Sequence, residues 1–504
     1  MSPVTGLSTR NLLIALCATL GTATYAFTWN SVGVALPYMQ GAFSATTDQI
    51  TWVMVAFVIG SAVMTASVGW LSGRFGRRRI FMLALAGYSA ASIGCGLATS
   101  LEQEVFWRFL QGSFGAALIP VGQAIAVNAF PPDRHGQASS FWALGFVCAS
   151  VIAPTIGGLL IESYGWPWIY FVNVPVGLGV LVAVYFLVPD SERSDKPLDW
   201  IGFTSLILGV GALQLMLARG ERLDWFSSTE IVIEAVVAAS GLWVFAMHTL
   251  TGKDPFIDRA LFGKRNYLLG LLFIFAAGGM LFLPLLLLPL LMQQIGGYPA
   301  MEIGYVMLPR GLGSAIGLIL LARLRDRIDP RPILLVGLLL TAYSAWNMSG
   351  WTVEVRAEDV AFATFIQGLA TGAVWAPINT LALSKLDKRL ENQGYAFFDL
   401  FFDVGSAVGT TAVVGLHARY SQINQAILNE AITPLGGHTV APALDERWSL
   451  EELEGLAALQ QELTRQATMI AYNNSFLTVM AVMLCLIPPI LLFRFRGRGA
   501  LGRG

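Results

Sequence analysis

The stretch Ala149–Gly177, ASVIAPTIGGLLIESYGWPWIYFVNVPVG, decides what kind of molecule this is. Hydrophobic residues flank a core of Ala153, Pro154, Thr155, Ile156, Gly157 and Gly158, so the segment reads as a membrane helix of small residues interrupted by a proline. Pro154 removes one backbone donor and kinks the helix, a defect that lipid tolerates only where neighbouring helices re-satisfy the freed carbonyl. Gly157 and Gly158 then let a second helix approach backbone to backbone. The expectation is a helix built to pack closely and to bend.

Composition extends that reading to the whole chain. With 504 residues, 55% hydrophobic and 12% charged, there is too little polar surface to cover a soluble globule, so the chain belongs in a bilayer. The net charge of -1, with no basic face beyond what a membrane topology explains, argues against a nucleic-acid partner. Cys17, Cys95, Cys148 and Cys485 lie in apolar runs without paired spacing and read as packing residues, not as a disulfide framework or metal site. The histidines are scattered and the spans hold no nucleophile–base pair, so neither an enzyme nor a cofactor-dependent protein is expected. The first apolar run is too long for a signal-peptide core and lacks a cleavage site; it is taken as the first span.

Apolar stretches of about 20 residues number fourteen. They cover 12–38, 49–72, 80–99, 105–128, 138–162 and 168–188, then 200–218 and 230–250, then 267–293, 302–323, 332–350, 359–384, 393–418 and 470–493. The grouping of six, two and six divides the chain into an N-terminal bundle (1–190), a linker carrying two extra helices (191–265) and a C-terminal bundle (266–504) with a long outer loop (419–469). An N-terminus in the cytoplasm puts 23 of the 31 Lys and Arg on the inner side, 6 outside, and Arg108 and Arg310 within spans. That bias sets the orientation, with both termini cytoplasmic. The basic run Gly69-Trp-Leu-Ser-Gly-Arg-Phe-Gly-Arg-Arg-Arg79 follows the second span, and Ala322-Arg-Leu-Arg-Asp-Arg-Ile-Asp-Pro-Arg331 follows the second span of the last six. Repeated six-span bundles are the architecture of alternating-access transporters.

These motifs resemble those of the major facilitator superfamily, in particular its 14-span drug:proton antiporters of the EmrB/QacA type. Ala153–Gly158 resembles the Gly-Pro-x-x-Gly-Gly antiporter motif, with Ala153 at the first glycine. Trp166, Trp168, Ile169, Tyr170, Asn173, Val174, Pro175 and Gly177 match a Trp-x-Trp-Ile-Phe-x-x-Asn-Val-Pro-x-Gly stretch, with Pro167 where the family usually has arginine. The basic loops are similar to Gly-x-Leu-x-Asp-Arg-x-Gly-Arg-Arg; Gly73 replaces the aspartate of the first copy, and Asp326 keeps that of the second. The resemblance assigns conformational switching to Gly69, Gly76, Arg77, Asp326, Pro154, Gly157 and Gly158. For the basic loops, topology signal alone is the competing reading.

The fourth span carries Arg108 in Arg-Phe-Leu-Gln-Gly-Ser-Phe-Gly-Ala-Ala, close to the family's Arg-x-x-Gln-Gly-x-Gly-Ala-Ala. A guanidinium at membrane depth stays charged and must face a cavity, a partner or, near a span's end, the interface. Arg310, in Leu-Pro-Arg-Gly-Leu-Gly, lies deeper in its span. Such antiporters usually carry an acid in the first span, where this chain has Thr28 in Phe27-Thr-Trp-Asn-Ser-Val-Gly-Val-Ala-Leu-Pro37. Instead, Asp399 and Asp403 stand four apart in span thirteen, on one helix face and about 6 Å apart along the axis. Two carboxylates so close in a low dielectric do not both ionise freely, which suits a proton carrier. The competing reading is a static ion pair with Arg310. Phe398 and Phe402 beside them, with Thr28, Trp29, Asn30 and Gln111 in the other half, are the expected substrate path.

Between Arg419 and Met469, Ser449-Leu-Glu-Glu452 fits a capping box that starts an amphipathic helix through Leu463, leading into the last span. There Asn474 replaces the family aspartate. The resemblance implies an all-α, integral-membrane, major-facilitator fold of 14 transmembrane helices. It implies a proton-driven exporter of hydrophobic small molecules in the cytoplasmic membrane, working with a periplasmic membrane-fusion adaptor of the EmrA kind and an outer-membrane channel. An uptake or metabolite carrier without proton coupling is the first alternative, a non-transporting membrane sensor or scaffold the second.

Overall fold

The computed structural model describes residues 8–131, 134–190, 198–252, 255–281, 283–324, 329–383, 386, 390–431 and 453–494. Its helices are α1 (Thr9–Ala42), α2 (Thr47–Ile50), α3 (Trp52–Phe75), α4 (Arg77–Gly96), α5 (Leu101–Gly115), α6 (Leu118–Asn128), α7 (His135–Tyr164), α8 (Trp168–Phe171) and α9 (Asn173–Leu187). They continue as α10 (Trp200–Arg219), α11 (Thr229–Thr251), α12 (Arg265–Leu281), α13 (Leu283–Gln294), α14 (Ala300–Leu324), α15 (Pro330–Ser349), α16 (Ala357–Leu383), α17 (Glu391–Ala431) and α18 (Leu453–Cys485). Thirteen helical segments among the described residues are long and apolar enough to cross a membrane, and bent α3 makes a fourteenth. Hydrocarbon offers no partner to a free N–H or C=O, so a chain of this composition folds as helices throughout.

α3 bends by 54° between Trp52–Thr65 and Ser67–Phe75. Thr65 donates to the Ser61 carbonyl at 2.8 Å and Ser67 to the Met64 carbonyl at 2.7 Å, so hydroxyls from both sides of the break draw on backbone acceptors just before it. Such back-bonding bends helices. Elsewhere glycine sets the spacing. A Cβ on Gly112 of α5 would overlap the Phe57 carbonyl of α3, and one on Gly368 of α16 would overlap the Arg310 carbonyl of α14. The same device therefore joins the second and fourth spans at each end of the chain, where close backbone approach replaces the hydrophobic driving force that lipid does not supply.

α1 lies along α7, α4 against α5 and α9, α14 along α16, and α17 between α12 and α18. Between the two groups α7 packs on α14 and α3 on α17. The α10–α11 pair crosses at Gly209 and Gly241 and rests on α3 and α17. One end is tied by Asp199, which accepts from Gly202 N at 3.0 Å and Phe256 N at 2.9 Å and meets His248 Nε2 at 2.9 Å. At the other end Arg219 meets Glu234 at 2.6 Å and lies 5.8 Å from the Trp52 ring of α3.

Among the described residues, the start of α1 and the stretch after α18 lie on the face that holds most of the arginines, called here the basic face. There Arg10 donates to the Leu187 carbonyl at 3.1 Å and Asn266 to the Arg494 carbonyl at 2.9 Å. On the far face Arg465 donates to the carbonyls of Ile295 and Val353 at 3.1 and 3.3 Å. After residue 418, α17 runs on to Ala431 where a loop was expected, while α18 begins at Leu453 and, like the expected amphipathic helix through Leu463, leads straight into the last span. Gln425 and Thr464 join the two helices at 3.0 Å. By rise per residue, the stretch of α18 before Arg465 stands about 18 Å beyond that rim. The capping box at Ser449–Glu452 lies outside the described residues.

The α3–α4 junction hinges on Gly76, whose φ of 92° and ψ of 140° are open in practice to glycine alone. Gly76→Ala is expected to cost about 1–3 kcal/mol, read as a lower thermal midpoint of the detergent-solubilised chain, with an unchanged midpoint counting against strain at this corner.

Candidate functional site

Arg108 is completely buried and organises one end of the site. Its Nε donates to the Val53 carbonyl at 3.0 Å and its Nη1 to Gln111 Oε1 at 2.6 Å, while the guanidinium lies 4.3 Å from the Phe57 ring centroid. Gln111 passes the bond on to Ser92 Oγ at 2.8 Å. A cation that cannot lose its proton thus ties α3, α4 and α5 together. This arginine does not snorkel, and Gln111 does not face an open path: both have zero exposure. One turn before Arg108, Glu104 is equally buried, and its Oε1 accepts from the Tyr170 hydroxyl of α8 at 2.6 Å. Glu104 is hidden in the sequence because Leu101-Glu-Gln-Glu104 is polar and falls outside the apolar window. The available signal was the spacing of Glu104, Arg108 and Gln111 on one helix face.

Thr28, at the position of the expected acid, is also fully buried. Its hydroxyl donates to the Thr24 carbonyl at 2.9 Å and accepts from Asn173 Nδ2 at 3.0 Å, so it joins α1 to α9 and lines no path in this conformation. Trp29 and Asn30 are half-buried; Trp29 stands 5.4 Å from Phe57 and Asn30 turns back to the Ala26 carbonyl at 2.7 Å.

Asp399 and Asp403 sit on α17 and both are half-buried, open to the interior between the helices. Tyr267 of α12 lies within electrostatic reach of Asp399, and Tyr25 of α1 within reach of Asp403. Tyr25 in turn packs 5.2 Å from Phe57, the ring beneath Arg108. A line of contacts thus runs from Arg108 through Phe57 to Tyr25. Phe402 meets Trp375 edge-on at 4.8 Å, whereas Phe398 is buried among helices and does not line a path here.

Arg310 donates to the Leu281 carbonyl at 3.0 Å and borders a cleft between α7, α14 and α16. Phe146, Ser150, Pro154, Met307 and Thr371 share that cleft, so the proline of the opening motif and the deeper arginine come together. Beside them α7 crosses α1: Ser31 donates to the Ala153 carbonyl at 3.0 Å, and a Cβ on Gly157 would come 3.1 Å from Ser31 Cβ. Gly158 meets nothing within 4 Å, so Gly157 serves the close approach and Gly158 does not. Gly69 faces the Ala396 methyl of α17 at ordinary contact distance. Of the basic loops, Arg78, next to Arg77, meets Asp190 at 3.6 Å beyond the end of α9. Asp326 lies outside the described residues.

Comparison with known proteins follows the same outline. The major facilitator superfamily model matches residues 18–410. The chain is 31% identical to the multidrug export protein EmrB of Haemophilus influenzae over 92% of each chain. It is 30% identical to the fatty acid resistance protein FarB of Neisseria gonorrhoeae over 90% of each. A crystal structure of a D-xylose–proton symporter superposes with a TM-score of 0.61 at 12% identity, covering 95% of this chain and 98% of that one.

Gly157→Leu should overpack the α1–α7 crossing by about 1–3 kcal/mol, roughly a 5- to 150-fold shift in a two-state equilibrium. Cysteine-accessibility labelling should find one face of the bundle trapped, and equal access on both faces would make this a passive contact.

Proposed function

This chain belongs to the major facilitator superfamily, and on that premise we propose that it exports hydrophobic small molecules across the cytoplasmic membrane in exchange for protons moving inward. The basic face is the cytoplasmic one, following the lysine and arginine bias. The observation that carries the reading is the carboxylate pair on α17. Asp399 and Asp403 share a helix face, are half-buried, and stand across the interior from Tyr25 of the other half. Intramembrane acids in such a place mark ion and proton pathways. The α3–α17 and α7–α14 contacts are the surfaces along which bundles 1–190 and 266–504 would rock, with Pro154 and Thr155 at one and Gly69 at the other. Relatives named for multidrug export and fatty acid resistance support an apolar cargo of no fixed charge.

The hairpin of α17 and α18 beyond the far face supports docking of a periplasmic adaptor, since paired helices projecting past the membrane offer a surface that transport itself does not need. Ile423, Ile427 and Leu456 are exposed on it. Thr28 in place of a first-span acid favours a second reading, a carrier of the same cargo without proton coupling.

Proteoliposomes with an imposed pH gradient separate the two readings when offered tetraphenylphosphonium, a neutral dye and a long-chain fatty acid. Coupled export predicts gradient-driven accumulation of at least one compound and its loss in Asp403→Asn; normal gradient-driven transport in both Asp399→Asn and Asp403→Asn would remove the pair from the mechanism. Deleting residues 425–460 should abolish efflux from cells while leaving substrate movement in proteoliposomes, and loss of both would assign the hairpin to the transport cycle itself.

A further inference from the structure

A second buried carboxylate lies far from the α17 pair, in the first turns of α5. Glu104 has zero exposure, although it is only three residues from the start of its helix on the far face. One oxygen, Oε1, is held by the Tyr170 hydroxyl at 2.6 Å; the other, Oε2, is buried without a hydrogen-bond partner. Arg108 stands one turn deeper on the same face but turns to the Val53 carbonyl, to Gln111 and to the Phe57 ring. Nothing therefore fixes Glu104 as one half of a direct ion pair. Ionised, it leaves a charged oxygen unpartnered in the interior; protonated, it is neutral and bound. The two protonation states differ sharply in what they demand of their surroundings, which is the property a coupling group needs.

The surroundings are selective. Tyr170 faces Glu104 from α8, Cys95 from α4 and Arg108 from α5 itself. α3, which also packs on α5, carries a single titratable residue, Arg74, at the opposite end of its span. Tyr170 stands where the family stretch quoted above has phenylalanine, so this chain supplies both the acid and the hydroxyl that holds it. Thr28 cannot carry a proton through the cycle, and the first span has no other acid.

We propose that Glu104 is a second proton-binding group of the transport cycle, placed at the far-face end of the N-terminal half in the role that Thr28 cannot fill. The proton comes from water on the far side, bonds to Oε2 and leaves the carboxyl group neutral beside the fixed charge of Arg108; on release it returns to water and the carboxylate is restored. In the conformation seen here the site is sealed, so exchange requires the bundles to reopen. This rests on the proton-coupled reading above and deepens it.

The test uses the full chain, in two arms. In acid-minus-alkaline infrared difference spectra of the reconstituted protein, the carbonyl band of a buried carboxylic acid should lose a component in Glu104→Gln. That component should persist in an Asp399→Asn/Asp403→Asn double variant, and its midpoint should move in Tyr170→Phe. In proteoliposomes carrying tetraphenylphosphonium, Glu104→Gln should lose the gradient-driven part of transport and keep downhill movement. An infrared band unchanged in Glu104→Gln, or full gradient-driven transport by that variant, overturns the proposal. Should Glu104→Gln fail to fold, an unmoved midpoint in Tyr170→Phe overturns it instead. Wild-type protein without any gradient-driven transport would sink the exporter reading, and the infrared arm alone would then decide whether Glu104 binds a proton.

Discussion

A guanidinium keeps its charge at any pH a cell offers, and in the interior of a membrane bundle it has no water to turn to. Arg108 is buried in that condition, and the arrangement around it follows from the need to satisfy it. α3 must bring the Val53 carbonyl to Nε, which fixes its height against α5. Phe57, one turn further along α3, then lies beneath the cation. Gln111 must present its carbonyl oxygen to Nη1, which leaves its amide to bind Ser92 of α4. For α3 and α5 to come that close, the contact must be backbone on backbone, hence Gly112 against the Phe57 carbonyl. One side chain thus sets the register of three helices, and mutations at its partners should act on the bundle together.

The second half solves a similar problem differently. Arg310 rides on α14 at a glycine contact with α16, but its neighbours include the cleft against α7 as well as the Leu281 carbonyl. It therefore stands at the seam between the halves, whereas Arg108 is enclosed within one. A buried cation within a bundle stiffens that bundle; a cation at a moving seam can take different partners in different states. The two arginines look alike as intramembrane charges in the sequence, and their surroundings separate them.

What the sequence made legible follows the reach of each signal. Hydropathy and the arginine bias marked the spans because lipid acts on every residue of a helix at once. The Ala153–Gly158 motif marked α7 for a close approach because glycine and proline act on the backbone, independent of neighbours, but not that α1 is the partner or that only Gly157 meets it. Side-chain direction was out of reach. Thr28, Gln111 and Phe398 read as path-lining yet are packed away, since which face of a helix turns inward depends on helices distant in sequence. Glu104 was missed for the opposite reason: its polar neighbours Glu102 and Gln103 placed it outside the membrane window, while α8, from 64 residues later, covers it. The run of α17 on to Ala431 likewise meets α18 through contacts such as Gln425 to Thr464, and no local window contains both.

On the proposed reading, the proton-carrying acids stand outside the first span, in two places. One pair lies on α17, half-open to the interior and near Tyr25; one residue lies on α5, sealed near the far face and held by Tyr170. Between them run Arg108, Phe57 and Tyr25 in successive contact. On the proposed coupling the two places differ in what they ask of the fold: the α17 pair is half-buried, whereas Glu104 is fully buried with Oε2 unpartnered. A sealed acid can exchange its proton only in a conformation that opens it, so its titration would be tied to the transport state itself.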